Sequence, residues 1–344
     1  MFLQLNTSNI EEISAVTNWL TLLDSPENSF VFKTSGSTGV PKEVSFSLSQ
    51  IEISVRQTQK AFGLSQTDSL LCPFSMNYVA AKMMAARAHF LKCLLVYTGP
   101  TRDPFEHLDE PVSFVALVPL QLEAVLENKT STNLLNQANN IIVGGAPMST
   151  RLIEAVKTRI TAPLYQTYGM TETLTHVALK RVNGGEDELF HALPGVNFRV
   201  DVENRLQIQS PLSPEWISTN DVVRLHSPIS FEWLGRHDWV INSGGFKVHP
   251  ESVEKQLSEH FSAEFALSGV EDVEMGQKVV LISSDSLSPK GLREKLSFLH
   301  RYEVPKYWLQ LDVMPILANG KIDRRALAKS VALAKVDGTL QDIS

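Results

Sequence analysis

The chain has 344 residues, 43% hydrophobic and 20% charged, the make-up of a folded protein and not of a disordered one. Its net charge of −7 argues against a broad nucleic-acid footprint but leaves room for a local basic pocket for a small phosphate ligand. At this length two or three domains are expected.

The first residues lack the basic segment and long apolar run of a secretory leader. Residues 30–32 read as a strand and lead into a Gly/Ser/Thr loop. Residues 51–62 read as a helix. The longest apolar stretch, Val79–Leu91, is interrupted by Lys82 and Arg87, so no membrane span is expected. The runs 93–97, 112–118 and 141–143 read as buried strands, with a helix over 149–158. Alternation of this kind predicts a largely parallel sheet. In 198–210 the pattern changes. Phe198, Val200 and Val202, then Leu206 and Ile208, alternate with polar residues, the period of an antiparallel pair turning at Glu203-Asn204. Two cysteines, Cys72 and Cys93, give no disulfide framework, which fits a cytoplasmic protein.

The pattern restarts near Arg236–Asp238. Pro250 opens a helix with Val253, Leu257 and Phe261 four apart. Residues 278–283 are strand-like. Ser288 can cap a helix that starts at Pro289 and lines up Leu292, Leu296 and Leu299. Leu309, Leu311 and Val313 alternate as in a strand. The fold class is therefore α/β plus α+β: a large domain, 1–236, rich in parallel sheet, and a small α+β domain, 237–344. A cleft between domains is a usual ligand site.

The loop Thr34-Ser35-Gly36-Ser37-Thr38-Gly39-Val40-Pro41-Lys42 carries the most chemistry. Two glycines let the backbone approach a ligand, four hydroxyls add donors, and Lys42 adds a mobile cation. Together they can surround a polyphosphate. The glycine spacing is not that of a Walker A loop, and no dinucleotide fingerprint occurs. By composition alone the same residues make an ordinary surface loop.

The ordered string resembles the phosphate loop of the adenylate-forming superfamily of acyl-CoA synthetases, peptide-synthetase adenylation domains and luciferases. Further segments match that family in order: Tyr168-Gly169-Met170-Thr171-Glu172-Thr173, then Asp221 after Ser218-Thr219-Asn220, then Gly235-Arg236-His237-Asp238, then Ser243-Gly244-Gly245-Phe246-Lys247-Val248, and finally Asn319-Gly320-Lys321-Ile322-Asp323-Arg324.

The resemblance implies a two-step reaction. A carboxylate attacks the α-phosphate of ATP to give an acyl-adenylate, and a thiol then takes the acyl group. It implies that Lys321 bridges carboxylate and α-phosphate, a task suited to a point cation. Glu172 would hold Mg²⁺ shared with the phosphates. Thr171 would meet the α-phosphate, and Tyr168 would stack on adenine. Asp221 would accept the ribose hydroxyls, and Arg236 would contact ribose or phosphate. The loop residues Thr34, Ser35, Gly36, Ser37, Thr38, Gly39 and Lys42 would bind ATP, with Gly144 and Gly145 at a strand end letting nucleotide and acyl group approach. Asp238 would be the hinge of a mobile small domain, and Gly244 and Gly245 would face the coenzyme A channel. Each has a plainer reading: a solvated turn for Lys321, a polar loop for the Tyr168 segment, a strand-end turn for Gly144-Gly145, and a rigid exit loop for Asp238.

The sequence also departs from the family. Its phosphate loop starts at residue 34, where most members carry well over a hundred residues first. Asn220 stands where glycine is usual before the ribose aspartate. Trp239 replaces a usual acidic residue after the hinge, and Glu43 replaces a common glycine. Tyr78 lies nearest to a histidine that often lines the acyl pocket. The segment from Asn77 to Met84, with Thr171 to His176, resembles short o-succinylbenzoate–CoA ligases of menaquinone synthesis. That acid is a dicarboxylate, so one carboxylate is left to be met by a cation. Lys82, Arg87 and His176 are the candidates. Against this, Lys82 and Arg87 can line the wet face of a helix, and His176 can satisfy a core hydrogen bond. Met83, Met84 and Phe90 suit core better than pocket.

The resulting expectation is an ATP-dependent acid–CoA ligase using ATP, Mg²⁺, coenzyme A and a small carboxylic acid. Two alternatives stand beside it: an adenylating enzyme that loads a separate carrier protein, and a non-catalytic nucleotide or acyl binding protein.

Overall fold

The structure is a computed structural model that describes residues 2–25, 29–33, 43–185, 187–258, 260–261, 264–284, 292, 295–316 and 322–343. The phosphate-loop residues from Thr34 to Lys42, the start of the helix expected at Ser288, and Lys321 lie outside the described residues.

The larger sheet has twelve strands. Its parallel half is ordered β1 (Phe2–Leu5), β5 (Leu94–Tyr97), β4 (Ser69–Cys72), β6 (Phe114–Leu117), β7 (Asn140–Val143) and β8 (Leu164–Gly169). Of these, β5, β4, β6 and β7 are short and largely apolar because both faces are covered. Successive residues alternate between two cores. Leu70, Leu95, Phe114 and Ile142 face α1 (Ile10–Leu23), α2 (Leu48–Phe62) and α3 (Val79–Leu91). Leu71, Val96, Val115 and Ile141 face α4 (Pro119–Glu127), α5 (Lys129–Leu135) and α6 (Thr150–Arg159). Side-chain hydrogen bonds fix the helix starts: Asn9 caps α1, Ser47 and Gln50 form a capping box on α2, and Ser149 caps α6. A small hairpin of β2 (Phe30–Lys33) and β3 (Glu43–Phe46) brackets the phosphate loop.

The expectation of a largely parallel sheet holds only up to β8. Beyond it the sheet continues antiparallel through β9 (His176–Arg181), β10 (Phe190–Ala192), β14 (Ser230–Arg236), β13 (Ser213–Ser227), β12 (Arg205–Ser210) and β11 (Asn197–Val200). Among the described residues no α-helix separates these strands, and short links can join only antiparallel neighbours. The expected pair over 198–210 is β11 with β12, but it turns earlier. Val202 is fully exposed, the Asp201 carboxylate accepts the Glu203 and Arg205 N–H groups, and Asn204 has φ +60°.

A second, six-stranded sheet follows. It comprises β15 (Ile241–Ser243), β16 (Phe246–Val248), β17 (Phe265–Asp272), β18 (Gly276–Ser283), β19 (Tyr307–Gln310) and β20 (Gln341–Asp342). One face packs on α7 (Pro250–Leu257), which ends before Phe261. The other packs on α8 (Arg324–Val336). The strand expected through Val313 stops at Gln310, where its partner β18 runs out at Ser283, and Val313 is 81% exposed. No helix among the described residues is long and apolar enough to cross a membrane.

Candidate functional site

The order of the parallel strands fixes where a ligand can sit. From β4 the chain crosses to β5 on one side, and from β6 it crosses to β7 on the other. The crevice outside the carboxyl ends of β4 and β6 is the switch point of the sheet. The loops at that edge are those after β4, β7 and β8. They carry Tyr78, Gly144-Gly145 and the turn from Met170 to Thr175.

That turn sorts its side chains by direction. Thr173 is buried, accepts the Met170 N–H at 3.0 Å, and has its hydroxyl 2.8 Å from the Thr175 carbonyl. Leu174 is fully buried with φ +61°, a conformation a leucine keeps only under constraint. With these two anchored inward, Thr171 stays partly accessible and Glu172 is exposed. Gly169 is required by packing, since a Cβ there would lie 2.4 Å from the Thr175 carbonyl. Gly144 is required in the same way: its Cβ would meet Thr167 Oγ1 at 2.2 Å. Gly145 has φ +82°.

The antiparallel half brings Asp221 to this edge. The residue is 7% exposed and its carboxylate is held from three sides. Tyr168 donates its hydroxyl to Oδ2 at 2.7 Å, Trp233 donates Nε1–H to Oδ1 at 3.2 Å, and Arg236 Nη1 stands 3.8 Å from Oδ1. The backbone N–H of Asp221 donates to Thr219 Oγ1 at 3.1 Å. Burial and the Asp221 carboxylate hold the Tyr168 phenol well above the usual range, so it remains a donor. Its ring lies edge-on to Phe190 and Phe231. Asp238 is tied to Arg236 Nη2 at 3.0 Å and to Asn220 Nδ2 at 3.4 Å, so Asn220 supplies a side-chain contact that glycine lacks. Gly244 and Gly245, with φ +58° and +82°, make the turn of the β15–β16 hairpin, with Gly244 beside Met275 and Tyr302.

The three cations proposed for the acyl side separate. Lys82 and Arg87 are five positions apart on α3, about 140° around the helix. Lys82 lies over the rings of Trp19 and Phe32, at 5.2 and 5.3 Å, with no acidic partner among the described residues. Burial and Lys33 lower its pKa. Arg87 does not line a wet face. It is 2% exposed because α3 is enclosed by α1, α2 and the sheet. Its Nε donates to Thr58 at 3.2 Å and its Nη2 to Thr175 at 3.0 Å. Burial pushes its pKa down to about 10, and no acidic side chain pairs with it among the described residues. Thr175 Oγ1 is 3.2 Å from His176 Nδ1, while His176 Nε2 is buried without a partner. Burial and the Arg87 charge keep that imidazole neutral. Tyr78, by contrast, is 63% exposed.

Sequence reasoning did not single out Trp233, Thr219 or Thr58. For Trp233 a signal existed, an aromatic three residues before Arg236 on an alternating strand. Thr58 gave none. Among the described residues no three metal-binding side chains converge, and Glu172 forms no ion pair. A single free carboxylate fits Mg²⁺, which is usually held by one or two carboxylates plus substrate phosphates.

A family model described as AMP-binding enzyme matches residues 11–208. The 2-succinylbenzoate–CoA ligase of Listeria monocytogenes is 26% identical over 86% of this chain and 69% of its own. A solved structure of an acyl-CoA synthetase (AMP-forming)/AMP-acid ligase II-like protein from Dyadobacter fermentans is 31% identical, with a TM-score of 0.64 over 94% of this chain and 95% of that one. The o-succinylbenzoate coenzyme A synthetase of Bacillus subtilis, in complex with ATP and magnesium ion, shares the fold at 21% identity and a TM-score of 0.72, over 86% of this chain and 69% of that one.

Proposed function

Because the chain belongs to the AMP-binding enzyme family, we propose that it is an ATP-dependent ligase that joins a carboxylic acid to coenzyme A and releases AMP and pyrophosphate. The acid we favour is o-succinylbenzoate, the substrate in the name of the Listeria relative. The observation that carries the reading is the Asp221 carboxylate, fixed at the ligand edge by Tyr168, Trp233 and Arg236. An ionised acceptor held in one place is what two ribose hydroxyls require.

In the first step a carboxylate oxygen attacks the α-phosphorus and pyrophosphate leaves with the electron pair of the bond that breaks. In the second, the sulfur of coenzyme A attacks the acyl carbon and AMP leaves. Lys321 and Thr171 would meet the charge that builds at the α-phosphate, and the loop from Thr34 to Lys42 would hold the outer phosphates. Glu172 would hold Mg²⁺, which supplies charge neutralisation there. The substrate's second carboxylate would be met by the Arg87–Thr175–His176 cluster, whose buried cation lacks a counterion among the described residues. Asp238 is the proposed hinge between a large domain, 1–236, and a small one, 237–344, and the Gly244-Gly245 hairpin would face the coenzyme A channel. A cytoplasmic location is supported by the free, buried thiols of Cys72 and Cys93.

The test is pyrophosphate release from ATP with a panel of carboxylic acids, each with and without coenzyme A, for wild type and Lys321→Ala. Release with o-succinylbenzoate, turnover that needs coenzyme A, and a loss of at least a hundredfold in the variant are expected. Activity with a different acid alone would overturn the substrate. Loading of a carrier protein in place of coenzyme A would overturn the acceptor. Nucleotide binding with no release from any acid would overturn the reaction.

A further inference from the structure

Rotation about Asp238 would carry α7 and α8 together past the end of β14. Several side chains cross that divide, among them Lys255, whose Nζ is 3.0 Å from Glu188 Oε2, and Glu251. Glu251, in the first turn of α7, reaches back to Gly235. Its Oε2 lies 2.4 Å from where a Cβ at that position would be, so only glycine admits it. Oε2 is buried without a hydrogen-bond partner, while Oε1 stands 3.4 Å from Arg324 Nε. The Arg324 fork is otherwise spent on Glu254, with contacts of 3.1 and 2.6 Å, and on the Leu267 carbonyl at 3.3 Å. Beside the hinge segment lies a cavity of about 170 Å³ lined in part by Asp238, Trp239, Gln277 and Arg324.

We infer that Glu251 is a positioning residue that latches the Gly235–Arg236 strand end to the Arg324 end of α8, and so holds the small domain in the orientation seen here. This rests on the hinge proposed at Asp238. The Arg324–Glu254 pair lies wholly beyond the hinge and would move as a unit. The Glu251–Gly235 contact spans the hinge, and rotation must break it. Arg324 starts α8 three residues after Lys321, so the latch reaches the segment that carries the proposed catalytic lysine.

The charged groups that face Glu251 are Arg324 on α8 and Glu254 on its own helix. From β14 it meets backbone, including the Arg236 N–H, and β17 turns the Leu267 amide and carbonyl to Glu254 and Arg324. Burial and Glu254 outweigh Arg324 and push the Glu251 carboxyl up to about 7. A proton therefore favours the latched orientation. Ionisation favours any orientation in which the carboxyl reaches water. If release restores an ordinary glutamate, latched over released falls about tenfold between pH 6 and pH 8.

The hydroxyls of Thr150 and Ser258 are hydrogen-bonded across the same divide in this orientation. Thr150→Cys with Ser258→Cys gives a pair whose disulfide trapping reports it, since Cys72 and Cys93 are buried. Trapping rates are compared in the wild-type, Glu251→Gln and Glu251→Ala backgrounds from pH 6 to pH 8, after thermal melts confirm folding. Thiol ionisation is common to all three backgrounds and cancels in the ratios. The ratio of the Gln rate to the wild-type rate should rise with pH, by up to about tenfold over this range, because Gln mimics the protonated latch. The Ala background should trap more slowly than Gln throughout. A flat Gln-to-wild-type ratio, Ala trapping as fast as Gln, or no trapping in any background overturns the latch. Trapping needs no substrate. If wild type proves inactive with every acid, the ligase reading fails while the latch is still decided.

Discussion

The phenol of Tyr168 and the carboxylate of Asp221, 53 residues apart in sequence, meet at 2.7 Å. The bond joins the last strand of the parallel half to the long β13 strand of the antiparallel half. Two segments that resemble separate family motifs are thereby one structural unit, and Tyr168 orients the Asp221 carboxylate in addition to the adenine-stacking role proposed for it.

Asp221→Ala should therefore weaken ATP analogue binding by about 10- to 100-fold, the loss of hydrogen bonds to a charged group. Tyr168→Phe leaves Trp233 and Arg236 on the carboxylate and should cost about tenfold or less. Titration calorimetry with a non-hydrolysable ATP analogue separates the two. Equal affinity of Asp221→Ala and wild type would remove the ribose role.

Arg87→Met tests the acyl side. A buried cation that reads a second carboxylate should, when removed, raise KM for o-succinylbenzoate by about 10- to 100-fold and leave KM for a monocarboxylate analogue nearly unchanged. KM for ATP should not move. A purely structural Arg87 predicts a lower Tm and equal shifts for both acids. His176 stays neutral, so no histidine ionisation at this cluster should appear in the acid's pH profile above pH 6.

Much of this was legible in the sequence, and the failures have physical causes. The strands Phe114–Leu117 and Asn140–Val143 are apolar throughout because both faces are covered, and that signal survives without context. The fifteen-residue strand β13 was not legible. Its residues Ser213–Ser227 are largely polar, and it is made a strand by pairing with β12 and β14 on its two sides. The plainer reading of Arg87 as part of a wet helix face fails, although a charge usually marks such a face. On α3 the neighbours Met83, Met84, Ala85, Ala86 and Ala88 are apolar all round, and such a helix is buried whatever single charge it carries. The roles of Thr34 to Lys42 and of Lys321 rest on sequence resemblance.

Gly144→Ala offers a test of the strand-end turn that is independent of catalysis. The new Cβ would stand 2.2 Å from Thr167 Oγ1 and 3.6 Å from Thr167 Cβ, so the clash is with the hydroxyl. A loss of about 1–3 kcal/mol is expected by chemical denaturation. Adding Thr167→Ala removes the clashing oxygen and should recover most of it. No recovery would mean that the backbone conformation at Gly144 excludes a side chain for another reason.

The Glu251 carboxyl also makes a prediction about stability whose sign can be worked out. Its folded pKa, about 7, lies above the ordinary 4.5. The folded state therefore holds this proton more tightly than the unfolded state. The associated stability is complete below about pH 4.5 and is lost as pH rises through about 7. Glu251→Gln keeps the shape and cannot ionise. It should melt higher than wild type at pH 8, and the gap should close as pH falls from 7 towards 4.5. Arg324 keeps both contacts to Glu254 in the variant, so loss of the Glu251 charge leaves that cation paired. Calorimetric melts across this range decide it. A variant that melts lower than wild type at pH 8 would mean that the Arg324 pairing outweighs burial, which would reverse the pH sign of the latch.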